Sequence, residues 1–182
     1  MRVIGGLYKH RRFNIPRSFK ARPTTDFAKE NLFNVLVSNY FDFEEGLSAL
    51  DLFAGTGSIS LELLSRGCNS VVSIEKDTQH FRFIRQIMQE IGTEKNILIH
   101  GDVFQYINRC HEKFDIIFAD PPYELKELAT IPDLILDHNM LKDNGILILE
   151  HGKNNDFKAN PNFLDHRVYG SVNFSFFSSQ TK

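Results

Sequence analysis

The sequence predicts an α/β protein with a Rossmann-like, doubly wound, seven-stranded and mostly parallel sheet. Short apolar runs alternate with segments of helical periodicity along the 182 residues. Several of these runs also end at an acidic residue, as strands do where a parallel sheet binds a ligand. We predict one domain, residues 1–182, made of a basic extension (1–24) that carries a β-hairpin and a Rossmann-like core (25–182).

Composition excludes several classes of protein. The two cysteines, Cys68 and Cys110, are too few for a disulfide framework and lack zinc-ligand spacing, so we predict no metal. The first residues do not form an apolar signal core, and no apolar run approaches the ~18 residues of a membrane helix. These features predict a cytoplasmic protein without a membrane partner.

The basic side chains are concentrated at the amino terminus. Residues 1–22 hold seven basic side chains and no acid, although the net charge of the chain is −2. A basic segment with interleaved aromatic residues is typical of nucleic-acid binding, because phosphate contacts supply most of the non-specific affinity. The candidate substrate contacts in this segment are Lys9, Arg11, Arg12, Arg17 and Arg22. Alternating residues on either side of Gly5-Gly6 predict the β-hairpin.

A helix is predicted from the threonines that follow this segment to Asn39. Thr24, Thr25 and Asp26 are good N-cap residues, and apolar residues follow at helical spacing. Donors at a helix N-terminus can also hold a phosphate, so Thr24 and Thr25 are further candidate substrate contacts. A simple cap explains them equally well.

A glycine-rich turn follows the first predicted strand, residues 47–53. The turn is followed by a predicted helix, residues 59–65. This order of strand, glycine-rich turn and helix is typical of the first nucleotide-binding unit of a doubly wound sheet. A dinucleotide site would need a glycine or an alanine at the third position of the motif, where the chain has Ser60. Asp51, inside the strand, would repel a pyrophosphate but suits a cationic or amino-acid-bearing ligand. Both features argue against a nicotinamide cofactor.

Acidic residues recur at the ends of the other predicted parallel strands, residues 70–74, 96–100, 113–119 and 145–149. These acids are Glu75, Asp102, Asp120 and Glu150. Glu75 is placed to accept both hydroxyls of a ribose, and Asp102 could reach an adenine amino group. The intervening helices are predicted at 78–91, 104–109 and 127–139, and a hairpin spanning 168–177 closes the sheet.

The run Asp120-Pro121-Pro122-Tyr123 leaves its strand in a rigid, extended form, because proline fixes φ and donates no hydrogen bond. A carboxylate and an aromatic ring on such a backbone could hold a flat, hydrogen-bonding ligand such as a nucleobase. A plain turn at the end of a strand is the alternative.

Together these motifs carry a family resemblance. Residues 51–57, Glu75, Asp102 and 120–123 resemble class I methyltransferases that use S-adenosylmethionine and modify exocyclic amines. Residues 2–6, 9–12, 22–26 and 30–34, with the late Tyr169-Gly170, are similar to the RsmD family. This resemblance covers nearly the whole chain. It implies methylation of a guanine N2 in 16S rRNA, with a small ribosomal subunit particle as partner.

The resemblance also assigns roles to residues. The implied cofactor contacts are Asp51, Phe53, Ala54, Gly55, Thr56, Gly57, Glu75, Lys76, Asp102, Val103 and Asp120. The implied catalytic residues are Asp120, Pro121, Pro122 and Tyr123. Three alternatives are an adenine-N6 methyltransferase acting on DNA or RNA, a nicotinamide-dependent oxidoreductase, and a non-catalytic RNA-binding domain.

Overall fold

Seven strands form one sheet in the computed structural model, which describes residues 1–19 and 24–179. In chain order they are β1 Ser48–Leu52, β2 Ser70–Glu75, β3 Asn96–His100, β4 Phe114–Ala119, β5 Leu141–His151, β6 Phe163–Tyr169 and β7 Val172–Ser178. Their spatial order is β3-β2-β1-β4-β5-β7-β6, and β7 runs antiparallel to both β5 and β6. The remaining pairs are parallel. The predicted seven-stranded, mostly parallel sheet is confirmed.

Helices cover both faces of the sheet, because successive apolar side chains of the central strands point to opposite faces and both sets must be buried. They are α1 Asp26–Asn39, α2 Ser58–Arg66, α3 Thr78–Ile91, α4 Val103–Ile107 and α5 Ile131–Asp137. One apolar cluster joins α1, α2 and α3 to the sheet, and a second joins α4 and α5 to the opposite face. No helix in the described ranges is long and apolar enough to span a membrane.

The connections between strands change from one face of the sheet to the other, and the point of this change defines where a ligand can bind. The connections that leave β1 and β2 cross one face, and those that leave β3 and β4 cross the other. Since β1 and β4 are neighbours, the chain diverges on either side of their carboxyl ends. This divergence is the switch point at which doubly wound sheets form a binding crevice.

Most predicted boundaries agree with the structure, and α3 and β3 have the predicted limits. The helix predicted at 127–139 begins instead as a 3-10 turn, Leu128–Thr130, and Pro132 occupies the first turn of α5, where its missing N–H is tolerated. Two strands extend earlier than predicted: β5 starts at Leu141, which pairs with Phe114 across an irregular register, and β6 starts at Phe163.

The predicted amino-terminal β-hairpin is not confirmed. One isolated bridge joins Arg2 to Arg12, without regular strands on either side. The segment also packs on α2, where Glu62 accepts hydrogen bonds from the backbone nitrogens of Ile4 and Gly5, each at 2.8 Å. The division of the chain at residue 24 stays a prediction.

Gly6 shows how closely this segment approaches α2. Its φ is +73°, and a Cβ atom there would lie 1.7 Å from the carbonyl oxygen of Ser65. Glycine is therefore required at this position both for its backbone angle and for the space it leaves.

Candidate active site

The turn between β1 and α2 opens the candidate site. Phe53, Gly55 and Gly57 all have positive φ, and such a conformation in a phenylalanine is typical of functional turns. A Cβ on Gly57 would lie 3.0 Å from Ile84 Cγ1, whereas a Cβ on Gly55 would meet only a backbone oxygen at 3.8 Å. The backbone of Gly55 therefore borders open space that a ligand could occupy. Ala54 and Thr56 of the same turn are buried.

Asp51 organises this turn from inside the protein. It is buried, and it accepts hydrogen bonds from the backbone nitrogen of Ser60 at 3.0 Å and from the Ser60 hydroxyl. Burial raises the pKa of Asp51 to about 7, and nearby Glu75 adds to the shift, which the Ser60 hydrogen bonds oppose. Ser60, which breaks the dinucleotide-binding pattern, is thus the partner of the strand acid.

Glu75 joins the end of β2 to the same turn. Its Oε2 accepts from the backbone nitrogen of Gly55 at 2.7 Å, and its Oε1 accepts from the backbone nitrogen of Asp77 at 2.6 Å. The side chain is buried, yet it belongs to the edge of the sheet where the glycine turn opens. The acid predicted to meet a ribose therefore lies beside the open backbone of Gly55.

Asp102 and Lys76 lie next to Glu75, at the carboxyl-end edge of the sheet. Asp102 Oδ1 caps α4 by accepting from the backbone nitrogens of Phe104 and Gln105, and its Oδ2 lies 3.1 Å from Lys76 Nζ. Val103 is the first residue of that helix. The structure thus brings three predicted cofactor contacts, Lys76, Asp102 and Val103, together at the ends of β2 and β3.

Asp120 lies at the end of β4, and its backbone nitrogen donates to the carbonyl of Leu52 at 3.4 Å. Burial raises the pKa of Asp120, and the nearby Glu150 and Asp51 carboxylates add to the shift. Within residues 1–19 and 24–179, the Asp120 carboxylate has no hydrogen-bond partner. Pro121 is buried at the start of the following loop. An acid without a partner in this crevice is available to a ligand.

Tyr123 is exposed at the far end of this loop, beyond the exposed Pro122. Its hydroxyl donates to Glu150 Oε1 at 3.1 Å. Burial raises the pKa of Tyr123, and the charge of Glu150 adds to the shift. The phenol therefore stays protonated and presents its ring to solvent.

Glu150 is a functional candidate that sequence reasoning placed at the edge without giving it a role. It is buried, and its Oε2 accepts from Thr24 Oγ1 at 3.2 Å. Burial raises the pKa of Glu150 to about 6, although the hydrogen bonds from Tyr123 and Thr24 oppose the shift. The neighbouring Thr25 caps α1 by accepting from Ala28 N at 3.2 Å. The two threonines thus differ: Thr25 is a simple cap, and Thr24 faces the acid.

Comparison with known proteins decides the family. The family model described as Conserved hypothetical protein 95 matches residues 1–178. The Ribosomal RNA small subunit methyltransferase D of Escherichia coli K12 is 29% identical over 188 residues, which cover 100% of this chain and 91% of that protein. The chain belongs to the RsmD family of methyltransferases. This membership argues against the oxidoreductase alternative.

Further similarities agree with this family. The Ribosomal RNA small subunit methyltransferase D of Haemophilus influenzae is 28% identical, with 98% of this chain and 94% of that protein covered. Among solved structures, a hypothetical protein of Thermus thermophilus superposes with a TM-score of 0.84 at 25% identity. That match covers 97% of this chain and 98% of the solved one.

In this RsmD-family enzyme the predicted nucleic-acid contacts Lys9, Arg11, Arg12 and Arg17 are all exposed. Arg22 lies outside the described residues. Arg11 forms an exposed ion pair with Glu90 of α3 at 3.4 Å. The basic side chains are therefore accessible, and the segment that carries them is attached to the core.

Sequence reasoning missed the buried pair that attaches this segment. Lys29 of α1 donates to the carbonyl of Arg2 at 2.6 Å and to Ser58 Oγ at 3.0 Å, and its Nζ lies 3.7 Å from Glu62 Oε2. Burial lowers the pKa of Lys29, although Glu62 opposes the shift. A lysine within an amphipathic helix gives no signal that distinguishes it from a solvated one.

Proposed function

We propose that this enzyme transfers the methyl group of S-adenosylmethionine to the exocyclic N2 amine of a guanine in 16S rRNA, within a small ribosomal subunit particle. The observation that carries the proposal is Asp120, an acid without a hydrogen-bond partner in the described residues, at the end of β4 and followed by the exposed Tyr123. The names of the two relatives above, which specify ribosomal RNA of the small subunit, support the assignment of the substrate.

The residues at the sheet edge fit this cofactor. Open space beside the Gly55 backbone offers room at the start of α2, and the acids at the ends of β2 and β3 match the donors of an adenosine. We assign Glu75 to the ribose hydroxyls and Asp102 with Val103 to the adenine. Residues 53–57, Asp51 and Lys76 complete the contacts. S-adenosylmethionine supplies the methyl group and its own leaving group.

The main task of the chain is then to position the amine. The lone pair of an exocyclic guanine amine is delocalised into its ring. Two groups accept hydrogen bonds from the amine hydrogens, namely the Asp120 carboxylate and the Pro121 carbonyl. These hydrogen bonds localise the lone pair of the amine toward the methyl group. Tyr123 stacks on the base, an interaction that contributes about 1–3 kcal/mol. Alignment of this kind can contribute roughly 7–11 kcal/mol to catalysis. Asp120 or water removes the proton after transfer.

The raised pKa of Asp51 predicts that cofactor affinity increases with pH. The sulfonium is positive, so it attracts Asp51 only when that acid is ionised, and Asp51 loses its charge as the pH falls through about 7. We expect binding to be roughly three- to tenfold weaker at about pH 5.5 than at about pH 8. Calorimetry at both values measures this. S-adenosylhomocysteine lacks the sulfonium charge and should show a smaller change; equal changes for both ligands would contradict the expectation.

The exposed basic side chains predict a salt-dependent contact with RNA. Replacing Arg11, Arg12 and Arg17 with alanine should weaken rRNA binding, and the slope of log affinity against log salt should fall by up to about 0.7–0.9 per lost phosphate contact. Cofactor affinity and the unfolding temperature should change little, because these side chains are exposed. Filter binding over a salt series measures the slope. An unchanged slope would show that these arginines do not contact phosphate.

Nucleoside mass spectrometry tests the proposed function itself. 16S rRNA from cells without the enzyme should lack one N2-methylguanosine, and the wild-type gene should restore it. A missing N6-methyladenosine would instead favour the adenine alternative, since the Asp-Pro-Pro-Tyr loop serves either amine. A full set of both modified nucleosides would exclude both activities on this RNA.

A further inference from the structure

Three parts of the chain meet at Glu150. The acid belongs to β5; one of its oxygens accepts from Tyr123 of the loop formed by residues 120–123, and the other accepts from Thr24, which precedes the N-cap of α1. The transfer reaction described above uses Asp120 and leaves Glu150 without a direct task. The contacts of Glu150 are nevertheless both with residues assigned to substrate binding.

The ring of Tyr123 is held at two points. A Cβ on Gly152 would lie 3.3 Å from Cδ2 and 3.7 Å from Cγ of the ring, so the ring packs on the backbone two residues after Glu150. The hydroxyl is fixed by Glu150 itself. The residue is still 46% exposed, so one side of the loop remains open to a ligand while these contacts limit rotation of the ring.

We propose that Glu150 is a positioning residue, which holds the Tyr123 ring in the orientation that receives the target base and ties it to Thr24 beside the basic segment. This inference rests on the proposed function, since Tyr123 must meet a base for its orientation to matter. Glu150 itself does not touch the reacting atoms.

The burial of Glu150 supports a specific role. Only 5% of the residue is exposed, and burying a carboxyl group is costly unless hydrogen bonds compensate. The hydroxyls of Tyr123 and Thr24 supply that compensation. Asp120, the acid at the end of the neighbouring strand β4, lacks such partners within the described residues. The two acids therefore have different roles: Asp120 can bind the substrate, and Glu150 orients the side chains to which it is hydrogen-bonded.

A double-mutant cycle tests whether Glu150 acts through Tyr123. Glu150→Ala should lower kcat/KM for rRNA by a factor of about 10 to 100, since a hydrogen bond to a charged group is lost, and the Kd for S-adenosylmethionine should be unchanged. Tyr123→Phe keeps the ring and removes the hydroxyl. If Glu150 orients the ring through that hydroxyl, the double variant should be no worse than Glu150→Ala alone. Effects that multiply would overturn the proposal.

Two further variants separate orientation from charge and from folding. Glu150→Gln can still accept from Tyr123 and donate to Thr24, so it should recover most of the activity lost in Glu150→Ala. A glutamine variant as impaired as the alanine variant would overturn the proposal. Glu124→Ala, an exposed acid on the same loop, is the matched control and should behave as wild type. Thermal unfolding of each variant shows whether it is folded.

The proposed function can fail separately from this inference. If the wild-type enzyme binds S-adenosylmethionine but methylates no rRNA, the substrate assignment is wrong and the role given to Glu150 falls with it. If the wild type methylates rRNA and folded Glu150→Ala does so at an equal kcat/KM, only the positioning role is wrong.

Discussion

Replacing Asp120 with alanine is expected to lower the rate of methyl transfer by a factor of about 100 or more, while cofactor affinity changes by no more than a few fold. The reason is that the Asp120 carboxylate has no hydrogen-bond partner in the described part of the chain, so its main partner is the amine of the substrate. Its hydrogen bond to that amine strengthens as the nitrogen becomes positive. Single-turnover kinetics with saturating cofactor and rRNA measures the rate.

The same experiment carries its own controls. Asp137→Ala removes an exposed acid from the end of α5 and should leave the rate unchanged. Because burial and the Glu150 charge raise the pKa of Asp120, the carboxylate accepts from the amine only above that pKa. The wild-type rate should therefore rise with pH, and the alanine variant should lose this dependence. A folded Asp120→Ala enzyme with the wild-type rate would remove Asp120 from the chemistry.

The fold could be predicted because local and long-range signals agree. Helix α3 has the predicted limits because Asp77 caps it by accepting from two backbone nitrogens, and Gly92 ends it at φ +69°. The central strands are buried on both faces; β2 ends at Glu75, and Asp120 directly follows β4. These signals lie within a few residues of the elements they define.

The attachment of the basic segment could not be predicted, because its contacts are with residues far away in the sequence. Its alternation suggested two regular strands, but the pairing of its two arms is limited to a bridge between Arg2 and Arg12 and the backbone hydrogen bonds around it. The backbone donors at Ile4 and Gly5 pair with Glu62, which lies 58 and 57 residues away. A carboxylate within the apolar run of α2 gives no indication of which distant backbone it will meet. Lys29, which completes this buried contact, looks like any helical lysine in the sequence.

The position of the candidate site could be predicted from the sequence, but the contacts among its side chains could not. The acids at the strand ends were expected to share an edge, because the carboxyl ends of parallel strands coincide. Which of them faces a ligand and which is already bonded depends on side-chain partners that only the folded chain reveals. Asp51 is bonded to Ser60 and Glu150 to two hydroxyls, whereas Asp120 has no such partner among the described residues. This difference turns similar acids into groups with separate roles.

Glu75→Ala is expected to weaken S-adenosylmethionine binding by a factor of about 10 to 100, the loss of one or two charge-assisted hydrogen bonds to the ribose. Glu75 also accepts from the backbone nitrogens of Gly55 and Asp77, so the variant loses part of the support for the turn that borders the cofactor. The loss of the ribose contact and the loss of support for the turn should both weaken cofactor binding. Calorimetry of the folded variant measures the affinity, and Glu94→Ala, an exposed acid beyond the end of α3, is the matched control.

The ribose contribution can be separated from the support of the turn by changing the ligand. Adenosine presents both hydroxyls, whereas 2′,3′-dideoxyadenosine presents neither. If Glu75 binds the ribose, the wild type should prefer adenosine clearly, and Glu75→Ala should bind the two competitors almost equally, because the acceptor that distinguishes them is absent. A preference for adenosine that persists undiminished in the variant would place the ribose elsewhere. Glu75 would then be left with contacts inside the protein, among them the backbone nitrogens of Gly55 and Asp77, and the cofactor would have to occupy a different part of the crevice.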